Sequence, residues 1–309
     1  MKILEESQLW YENAGKIMLE REFPAEVSCI AVGLAGRGSE CWGFDDDISH
    51  DHDCQIGFAL WITSADERRF GFKLERAYAR LRKDFPPPPT GAASSMFGSV
   101  EQGVIVIEDF FRRHLGIAGA PQTFRQWLDI PEYALAETVN GKVFRDDLQI
   151  FSNIRREIRC GMPEDVRLKK LAARAAMMAQ SGQYNFMRCI RHGEPGAAAL
   201  FAAEFVRNAG SMVFLLNREF APYCKWMLRK MKDLPKLNFI ADMLNDLLGN
   251  TLHNHQKADL IEEIARQLVA ELARQGLTES RENFLEPHAL EITRRIQSQE
   301  LRSMHIMEG

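Results

Sequence analysis

Five aspartates fall within nine residues, at positions 45, 46, 47, 51 and 53. Packing so much like charge into one short segment is unfavourable unless cations or hydrogen-bond donors neutralise it. Asp51 and Asp53 are two residues apart at the start of an apolar run, so on a strand both carboxylates would project from the same face. Carboxylate oxygens grouped in this way suit Mg²⁺ or Mn²⁺, and these ions commonly carry nucleotide phosphates. The sequence therefore predicts a metal site at Asp51 and Asp53.

A glycine-rich segment, GLAGRGS at residues 33–39, precedes the aspartates. Gly36 and Gly38 allow a tight turn and a close approach of backbone N–H groups to phosphate. Ser39 opens the next segment, where its hydroxyl and amide are candidates for binding the terminal phosphates. The segment is not a Walker loop, because no Gly-Lys-Ser/Thr follows, and its glycine order differs from that of the dinucleotide-binding fingerprint.

Gly38 and Ser39 are separated by eleven residues from Asp51-His52-Asp53. This arrangement resembles the signature of the polymerase-β-like nucleotidyltransferase superfamily, in which a Gly-Ser turn precedes an Asp-x-Asp on the next strand. The fuller string is similar to a bacterial family of nucleotidyltransferase-like proteins in which a helical domain of unknown function follows. Further matches to that family lie at 127–132 (WLDIPE), 163–166 (PEDV), 182–185 (GQYN), 216–218 (LNR) and 222–226 (PYCKW).

The resemblance implies transfer of a nucleoside monophosphate from an NTP, ATP in the first instance, to a hydroxyl group, with release of pyrophosphate. Asp51 and Asp53 would be the catalytic residues and would hold Mg²⁺ or Mn²⁺. Gly38 and Ser39 would bind the nucleotide phosphates. The acceptor would be a small molecule or a protein, and the motif does not say which, because fold does not fix substrate.

The resemblance also requires a third carboxylate on a later strand, expected here near residues 103–107. The side chains of that run are apolar and cannot bind metal. Glu101, Glu108 and Asp109 flank it, and the sequence does not choose among them. If none of the three reaches the metals, the alternative is a catalytically inactive nucleotide-binding or protein-interaction module.

The elements that position these residues follow from the hydrophobic pattern. Apolar runs predict strands at 28–34, 54–62 and 103–107, and amphipathic or charged periodic segments predict helices at 1–22 and 66–84. After Pro131 the strand signals vanish and helical patterns follow. The predicted fold class is α+β: a small nucleotidyltransferase-type mixed-sheet domain over residues 1–127, then an all-helical bundle over 128–309 that binds the acceptor. We expect the tail after residue 302 to be frayed.

Composition limits the partners. Of 309 residues, 46% are hydrophobic, and no apolar run reaches the length of a membrane span. Residues 1–130 carry 14 Lys or Arg against 20 Asp or Glu, which argues against a basic nucleic-acid surface. We therefore expect a cytoplasmic protein that binds neither membrane nor nucleic acid. Amphipathic helices at 256–275 and 287–301 offer faces on which a second copy could pack into a homo-oligomer.

Several residues of the second half are weaker candidates. Glu204 is a candidate general base. Polar groups in otherwise apolar surroundings, which suit the lining of a cleft, are Asn217, Arg218, Tyr223 and Lys225. Three arginines on one predicted helix, Arg155, Arg156 and Arg159, are expected to form a solvated face. The six cysteines lack a C-x-x-C pair, and we expect most of them to be buried.

Overall fold

The computed structural model describes residues 2–45, 56–88 and 101–309. The chain divides into two compact units, one of residues 1–121 and 137–161 and the other of residues 122–136 and 162–309. The first unit carries a mixed sheet and the second is helical, so the predicted α+β class is confirmed. The predicted domains, 1–127 and 128–309, stay a prediction. Compactness groups residues 137–161 with the first unit, so this unit is built from two separate stretches of chain.

The first unit begins with a helical segment. Its elements, in chain order, are α1 (Ile3–Trp10), a π-helical segment (Tyr11–Gly15), α2 (Lys16–Glu22), a 3₁₀ helix (Val27–Cys29), β1 (Ala31–Leu34), a second 3₁₀ helix (Ser39–Trp42), β2 (Ala59–Ile62), α3 (Ser64–Asp66), a π-helical segment (Glu67–Gly71), α4 (Phe72–Asp84), β3 (Gly103–Val106), α5 (Ile107–Leu115), β4 (Lys142–Arg145) and α8 (Ile150–Cys160). The three predicted strands are present, although each is shorter than the apolar run that indicates it.

The strands form one sheet in the order β3-β2-β1-β4. β1 is antiparallel to both of its neighbours, whereas β2 and β3 are parallel. The parallel pair is joined through α3 and α4, as parallel strands require a crossover connection. Because β1 runs opposite to β2 and β3, the end of β1 and the beginnings of β2 and β3 lie at the same edge of the sheet.

The sheet is buried on both faces. One face packs on the N-terminal helices and α4 through an apolar cluster that includes Phe58 and Leu60. On the other face the ring of Trp61 stacks on Phe151 of α8, with centroids 4.0 Å apart, and meets Phe110 of α5 edge to face. A strand that is buried on both sides reads as a continuous apolar run, and residues 56–62 are such a run.

The sequence predicts no strand after Pro131, and this prediction is wrong. β4 pairs with β1 along the outer side of the sheet, with Val143 opposite Gly33. Its four residues, KVFR, are only half-buried or exposed, so they carry little of the apolar signal that marks β2. Gly33 permits the pairing, because a Cβ there would collide with the backbone carbonyl of Lys142.

The second unit is a helical bundle. Its elements are α6 (Phe124–Asp129), α9 (Glu164–Met178), a π-helical segment (Ala179–Phe186), α10 (Met187–Arg191), α11 (Pro195–Leu216), α12 (Cys224–Met231), α13 (Ile240–Leu248), α14 (Asn254–Arg274), α15 (Leu285–Arg295) and α16 (Gln299–Ser303). The division between the units falls within α7 (Glu132–Val139). α11 is long and apolar enough to span a membrane, but 67% of its most apolar window is buried, which is the pattern of a core helix.

The end of α14 agrees with its sequence. Ile264, Leu268 and Leu272 are fully buried along one face, and Gly276 has a φ of +68° just after the last turn. The predicted fraying of the tail after residue 302 is wrong. Lys169 Nζ donates to the carbonyl of His305 at 2.6 Å, and Arg174 Nη1 donates to that of Gly309 at 2.9 Å. A buried lysine and a largely buried arginine on α9 therefore hold the tail.

Candidate functional site

The predicted phosphate-binding turn follows directly from the end of β1. Gly36 has a φ of +131°, a conformation that residues with a Cβ rarely adopt. A Cβ on Gly36 would lie 2.8 Å from Cγ of Glu101. Two features therefore require glycine at this position: its positive φ angle, and the side chain of Glu101, which occupies the space that a Cβ would need.

Asn140 fastens this turn. Its Oδ1 accepts a hydrogen bond from the Gly36 amide at 3.0 Å, and its Nδ2 donates to the Gly36 carbonyl at 2.7 Å. Beside it, the amide of Gly141 donates to the carbonyl of Cys41 at 2.9 Å. A buried side chain that meets both polar groups of one residue fixes the turn in a single conformation.

Gly38 and Ser39 lead into the 3₁₀ helix, whose first bond runs from the Cys41 amide to the Gly38 carbonyl at 3.1 Å. Ser39 is half-buried. The carboxylate of Glu40 folds back over Gly38, where a Cβ would collide with it. An anion approaching the Gly38 backbone therefore meets a carboxylate, which has to rotate away or be neutralised by a cation.

The aspartate cluster is described only at its beginning. Asp45 is buried, and its Oδ2 accepts a hydrogen bond from the Ile3 amide at 2.6 Å, at the start of α1. This first aspartate therefore has a structural role, since it accepts from an amide that the first turn of a helix leaves unpaired. Asp51 and Asp53, the predicted catalytic and metal-binding residues, lie outside the described residues.

The three candidates for the third carboxylate are in different places. Glu101 is 6% exposed and lies just before β3, at the sheet edge where β1 ends and the glycine turn begins. Glu108 lies beyond the opposite end of β3 and accepts from the Ser64 amide at 3.2 Å. Asp109 is exposed and pairs with Arg112 at 2.6 Å. Among the three, only Glu101 adjoins the turn.

Glu101 belongs to a buried charge cluster with His114 and Glu137. His114 Nε2 lies 3.3 Å from Glu101 Oε1, and His114 Nδ1 lies 3.3 Å from Glu137 Oε2. Burial by itself lowers the pKa of His114, but hydrogen bonding and charge interaction with the two carboxylates outweigh it, so the pKa is raised above its ordinary 6.5. A positively charged imidazolium is thereby favoured between the two carboxylates.

Two arginines surround this cluster. Arg113 Nη1 donates to Glu101 Oε2 at 3.4 Å, and Arg37, in the glycine turn, lies 3.6 Å from Glu137 Oε2. Both guanidinium groups are about half exposed. The turn is therefore linked to Glu101 by packing at Gly36 and to Glu137 by charge at Arg37.

Most of these contacts could not be read from the sequence. Asn140, His114 and Glu137 lie far along the chain from the glycines, and no motif marks them. The one available signal is a histidine, His114, on the apolar face of an amphipathic helix, near its end. Without tertiary information, it reads as an ordinary core histidine.

The arginines of α8 form the predicted solvated face only in part. Arg155 Nε donates to the Thr138 carbonyl at 3.0 Å, and its Nη2 donates to the Asn140 carbonyl. Arg159 donates to the carbonyl of Val139. Burial, together with the charge of Arg159, lowers the pKa of Arg155 to about 10. The side chains of Arg155 and Arg159 bind backbone carbonyls at the end of α7. Arg155 is half-buried, whereas Arg156 and Arg159 are exposed.

Candidates in the helical unit have separate environments. Arg218 pairs with Glu164 at 3.0 Å, and Asn217 bonds the Lys236 backbone. Lys225 lies over the ring of Trp226. Glu204 and Tyr223 line a cavity inside the helical unit. Of these candidates, only the last two share a site.

The expectation that most cysteines are buried is wrong for those that the structure describes. Of the five that are described, Cys41 alone is buried, and burial raises the pKa of its thiol well above the ordinary value. Cys160 and Cys224 are exposed, and Cys29 and Cys189 are half-buried. A thiol with a raised pKa is a poor nucleophile, so Cys41 packs behind the turn without an indicated chemical role.

Within residues 2–45, 56–88 and 101–309, no group of three or more His, Cys, Asp or Glu side chains is arranged to hold a metal ion. The predicted metal site at Asp51 and Asp53 stays a prediction. A donor set of two aspartates with Glu101 consists of hard oxygen ligands, which fit Mg²⁺ or Mn²⁺.

Comparison with known proteins gives three findings. A family described as a domain of unknown function (DUF4037) matches residues 127–227. No curated protein matches the chain in sequence. In structure the chain is similar to a nucleotidyltransferase-like protein from Exiguobacterium sibiricum 255-15, with 11% identity, a TM-score of 0.39 and coverage of 92% of this chain and 81% of that one.

Proposed function

We propose that this protein is a metal-dependent nucleotidyltransferase. It moves a nucleoside monophosphate from an NTP, with ATP as the first candidate, to a hydroxyl group of a small molecule or a protein. The acceptor oxygen bonds to the α-phosphorus, the bond from that phosphorus to the β-phosphate oxygen breaks, and pyrophosphate leaves. The hydroxyl proton passes to solvent or to a general base.

The observation that supports this proposal best is the position of Glu101. Its side chain packs against Gly36, so a buried carboxylate adjoins the turn that carries Gly38 and Ser39. The sequence leaves three residues open for this role, and Glu108 and Asp109 have contacts elsewhere. With Asp51 and Asp53, Glu101 completes the set of three carboxylates that the motif requires.

Each residue has a defined task in this proposal. Asp51, Asp53 and Glu101 would hold Mg²⁺ or Mn²⁺, which supplies stabilisation of the negative charge on the phosphate oxygens. Gly38 and Ser39 would bind the β- and γ-phosphates. Glu40 rotates off Gly38 to admit them. His114 and Arg113 fix the orientation of the Glu101 carboxylate through contacts of 3.3 and 3.4 Å.

A second candidate function is nucleotide binding without transfer. It is favoured by the same two contacts of Glu101, since His114 and Arg113 supply positive charge that a metal ion would otherwise supply. A carboxylate neutralised by the protein itself binds a metal ion less strongly. Such a protein would bind a nucleotide and release no pyrophosphate.

The test is thermal unfolding of the full chain with ATP, CTP, GTP and UTP, each with and without Mg²⁺. A ligand that binds only the folded state at 100 times its Kd adds about 2.7 kcal/mol to the free energy of unfolding. We expect a Mg²⁺-dependent rise in Tm that is lost in Asp51→Asn and Asp53→Asn, reduced in Glu101→Gln and retained in the control Asp109→Asn.

Pyrophosphate release, measured with a panel of hydroxyl acceptors, separates the two candidates. Release that depends on Asp51 and Asp53 supports transfer, and a Tm shift without release supports the binding module. A protein that unfolds cooperatively with no shift for any nucleotide contradicts both. A shift that survives Asp51→Asn and Asp53→Asn contradicts the assigned site.

A further inference from the structure

The helical unit contains a cavity of about 650 Å³. It is formed by the start of α7 and by α9, α11 and α12. Its volume lies in the range of pockets that bind small molecules, about 300–1,000 Å³. None of its lining residues is among those assigned above to metal or phosphate binding, so its role is a separate question.

One wall holds a carboxylate whose hydrogen bonding is incomplete. Glu132 is 7% exposed, and its Oε1 accepts from Ser211 Oγ at 2.8 Å and from Arg174 Nη2 at 3.3 Å. Its Oε2 is buried and has no hydrogen-bond partner among the described residues. Arg174 also donates to Ser211 at 2.8 Å and to Gly309 at 2.9 Å. Buried carboxylate oxygens normally accept hydrogen bonds, so Glu132 Oε2 is suited to a donor from a ligand.

A second wall, on α11, carries one carboxylate and one guanidinium group that form no ion pair with described residues. Glu204 and Arg207 both line the cavity and are three residues apart, so they lie on one face of the helix. They form no ion pair with each other or with any other side chain in the part of the chain that the structure describes. A cavity with an unpaired carboxylate and an unpaired guanidinium can neutralise both charges of a zwitterion.

The remaining walls are aromatic and apolar. Tyr133 and Tyr223 meet edge to face with centroids 5.9 Å apart, and both are about half exposed. Met177, Leu200 and Met227 supply apolar surface. Methionines and tyrosines together accommodate flat or irregular apolar groups. The cavity thus combines charged anchors with room for an apolar substituent.

We propose that this cavity binds a zwitterionic small molecule of the amino-acid or short-peptide class with an apolar or aromatic side chain. The ligand ammonium donates to Glu132 Oε2 and to the Glu204 carboxylate. The ligand carboxylate accepts from the Arg207 guanidinium. An ammonium group has three N–H donors, which suits two carboxylates, and a guanidinium binds a carboxylate through two parallel bonds.

The experiment is isothermal titration calorimetry on the full chain, without nucleotide or metal. The first probes are the twenty amino acids and phenylalanyl-alanine. The second set is L-phenylalanine with phenethylamine, which lacks the carboxylate, and 3-phenylpropionate, which lacks the ammonium; if another amino acid binds best, its own decarboxylated and deaminated analogues are used. We expect either analogue to bind at least tenfold more weakly than the zwitterion.

Two variants assign the charges. Glu204→Gln should weaken binding of the amino acid and of the amine at least tenfold and leave the acid unchanged. Arg207→Gln should weaken binding of the amino acid and of the acid and leave the amine unchanged. The matched controls are Glu282→Gln and Arg191→Gln, which alter exposed residues of the same unit away from the cavity.

The proposal is overturned if no probe binds, if the amine alone binds as tightly as the zwitterion, or if both variants keep the affinity of the original chain. Because neither nucleotide nor metal is present, these outcomes do not depend on nucleotidyl transfer. A chain that binds amino acids and fails every nucleotide test would retain this site and lose the proposed transfer activity.

Discussion

The two units each bury a charge cluster, and the clusters use different cations. In the first unit, His114 lies between Glu101 and Glu137. In the second, Arg174 lies between Glu132 and Ser211. An imidazolium titrates near neutral pH, whereas a guanidinium remains charged throughout. The stability of the first cluster should therefore follow pH in this range, and that of the second should not.

The largest expected effect is in the second unit. Arg174→Met removes the cation that forms an ion pair with the buried carboxylate of Glu132, and breaking a buried pair in this way costs about 3–5 kcal/mol. Urea denaturation at pH 7 measures the loss. Arg266→Met, which removes an exposed pair with Glu263, is the control and should change stability little. A loss no larger than that of the control would contradict the role of Arg174 as the cation that compensates Glu132.

A smaller effect is expected at the turn that joins the first cluster to β1. Gly36→Ala forces a side chain into a φ of +131° and into contact with Glu101. A strained backbone costs about 1–3 kcal/mol, and the steric contact adds to it. Gly116→Ala is the matched control, since its φ is +74° and no atom lies within 4 Å of the new Cβ. Equal losses in the two variants would show that Glu101 moves away freely.

The smallest effect is a pH dependence. The pKa of His114 is higher in the folded chain than its ordinary value, so the folded state binds the proton more tightly. The resulting stabilisation is complete below the unfolded pKa of about 6.5 and is lost as pH rises through the folded pKa. The stability difference between the original chain and His114→Gln should thus shrink from pH 6 to pH 9, as measured by urea denaturation.

The same pH series on Arg174→Met sharpens the comparison. Its stability difference from the original chain should stay level from pH 6 to pH 9, because arginine does not titrate in this range. If the His114→Gln difference were equally level, the imidazole would not titrate in this range, and the raised pKa of His114 would be contradicted.

The predictable parts of the fold are those with a local signal. Residues 103–107 and 54–62 are strongly apolar, and strands are found within both segments. The repeat along α14 and the glycine that ends it are equally local. The sequence does not predict β4 because its four residues, KVFR, are half-buried or exposed and carry no such local signal. They form a strand because they pair with β1. The prediction of a frayed C-terminal tail is wrong because Lys169 and Arg174, which are far away in sequence, bind the carbonyls of the tail.

The candidate sites divide in the same way. The Gly-Ser turn can be predicted from the sequence because tight turns require glycine. Its place after β1 agrees with the prediction. The sequence does not distinguish Glu101 from Glu108 and Asp109, because alternation along a strand gives Glu101 and Asp109 the same face. The contact of Glu101 with Gly36, and the contacts of Glu108 with Ser64 and of Asp109 with Arg112, distinguish them. Glu204 and Tyr223 are visible in sequence as polar residues among apolar ones, but not as walls of one cavity with Arg207.

The sequence by itself determined the features that depend only on residues near one another in the chain. These are the apolar strands, the amphipathic helices, the glycines at tight turns and the spacing of the Gly-Ser and Asp-x-Asp motifs. The tertiary structure decided which carboxylate adjoins the turn, which histidine receives a raised pKa and which charges are left unpaired in a cavity. These outcomes depend on groups brought together from distant parts of the chain. Burial and electrostatic interaction act through space, and they are set only when the chain has folded.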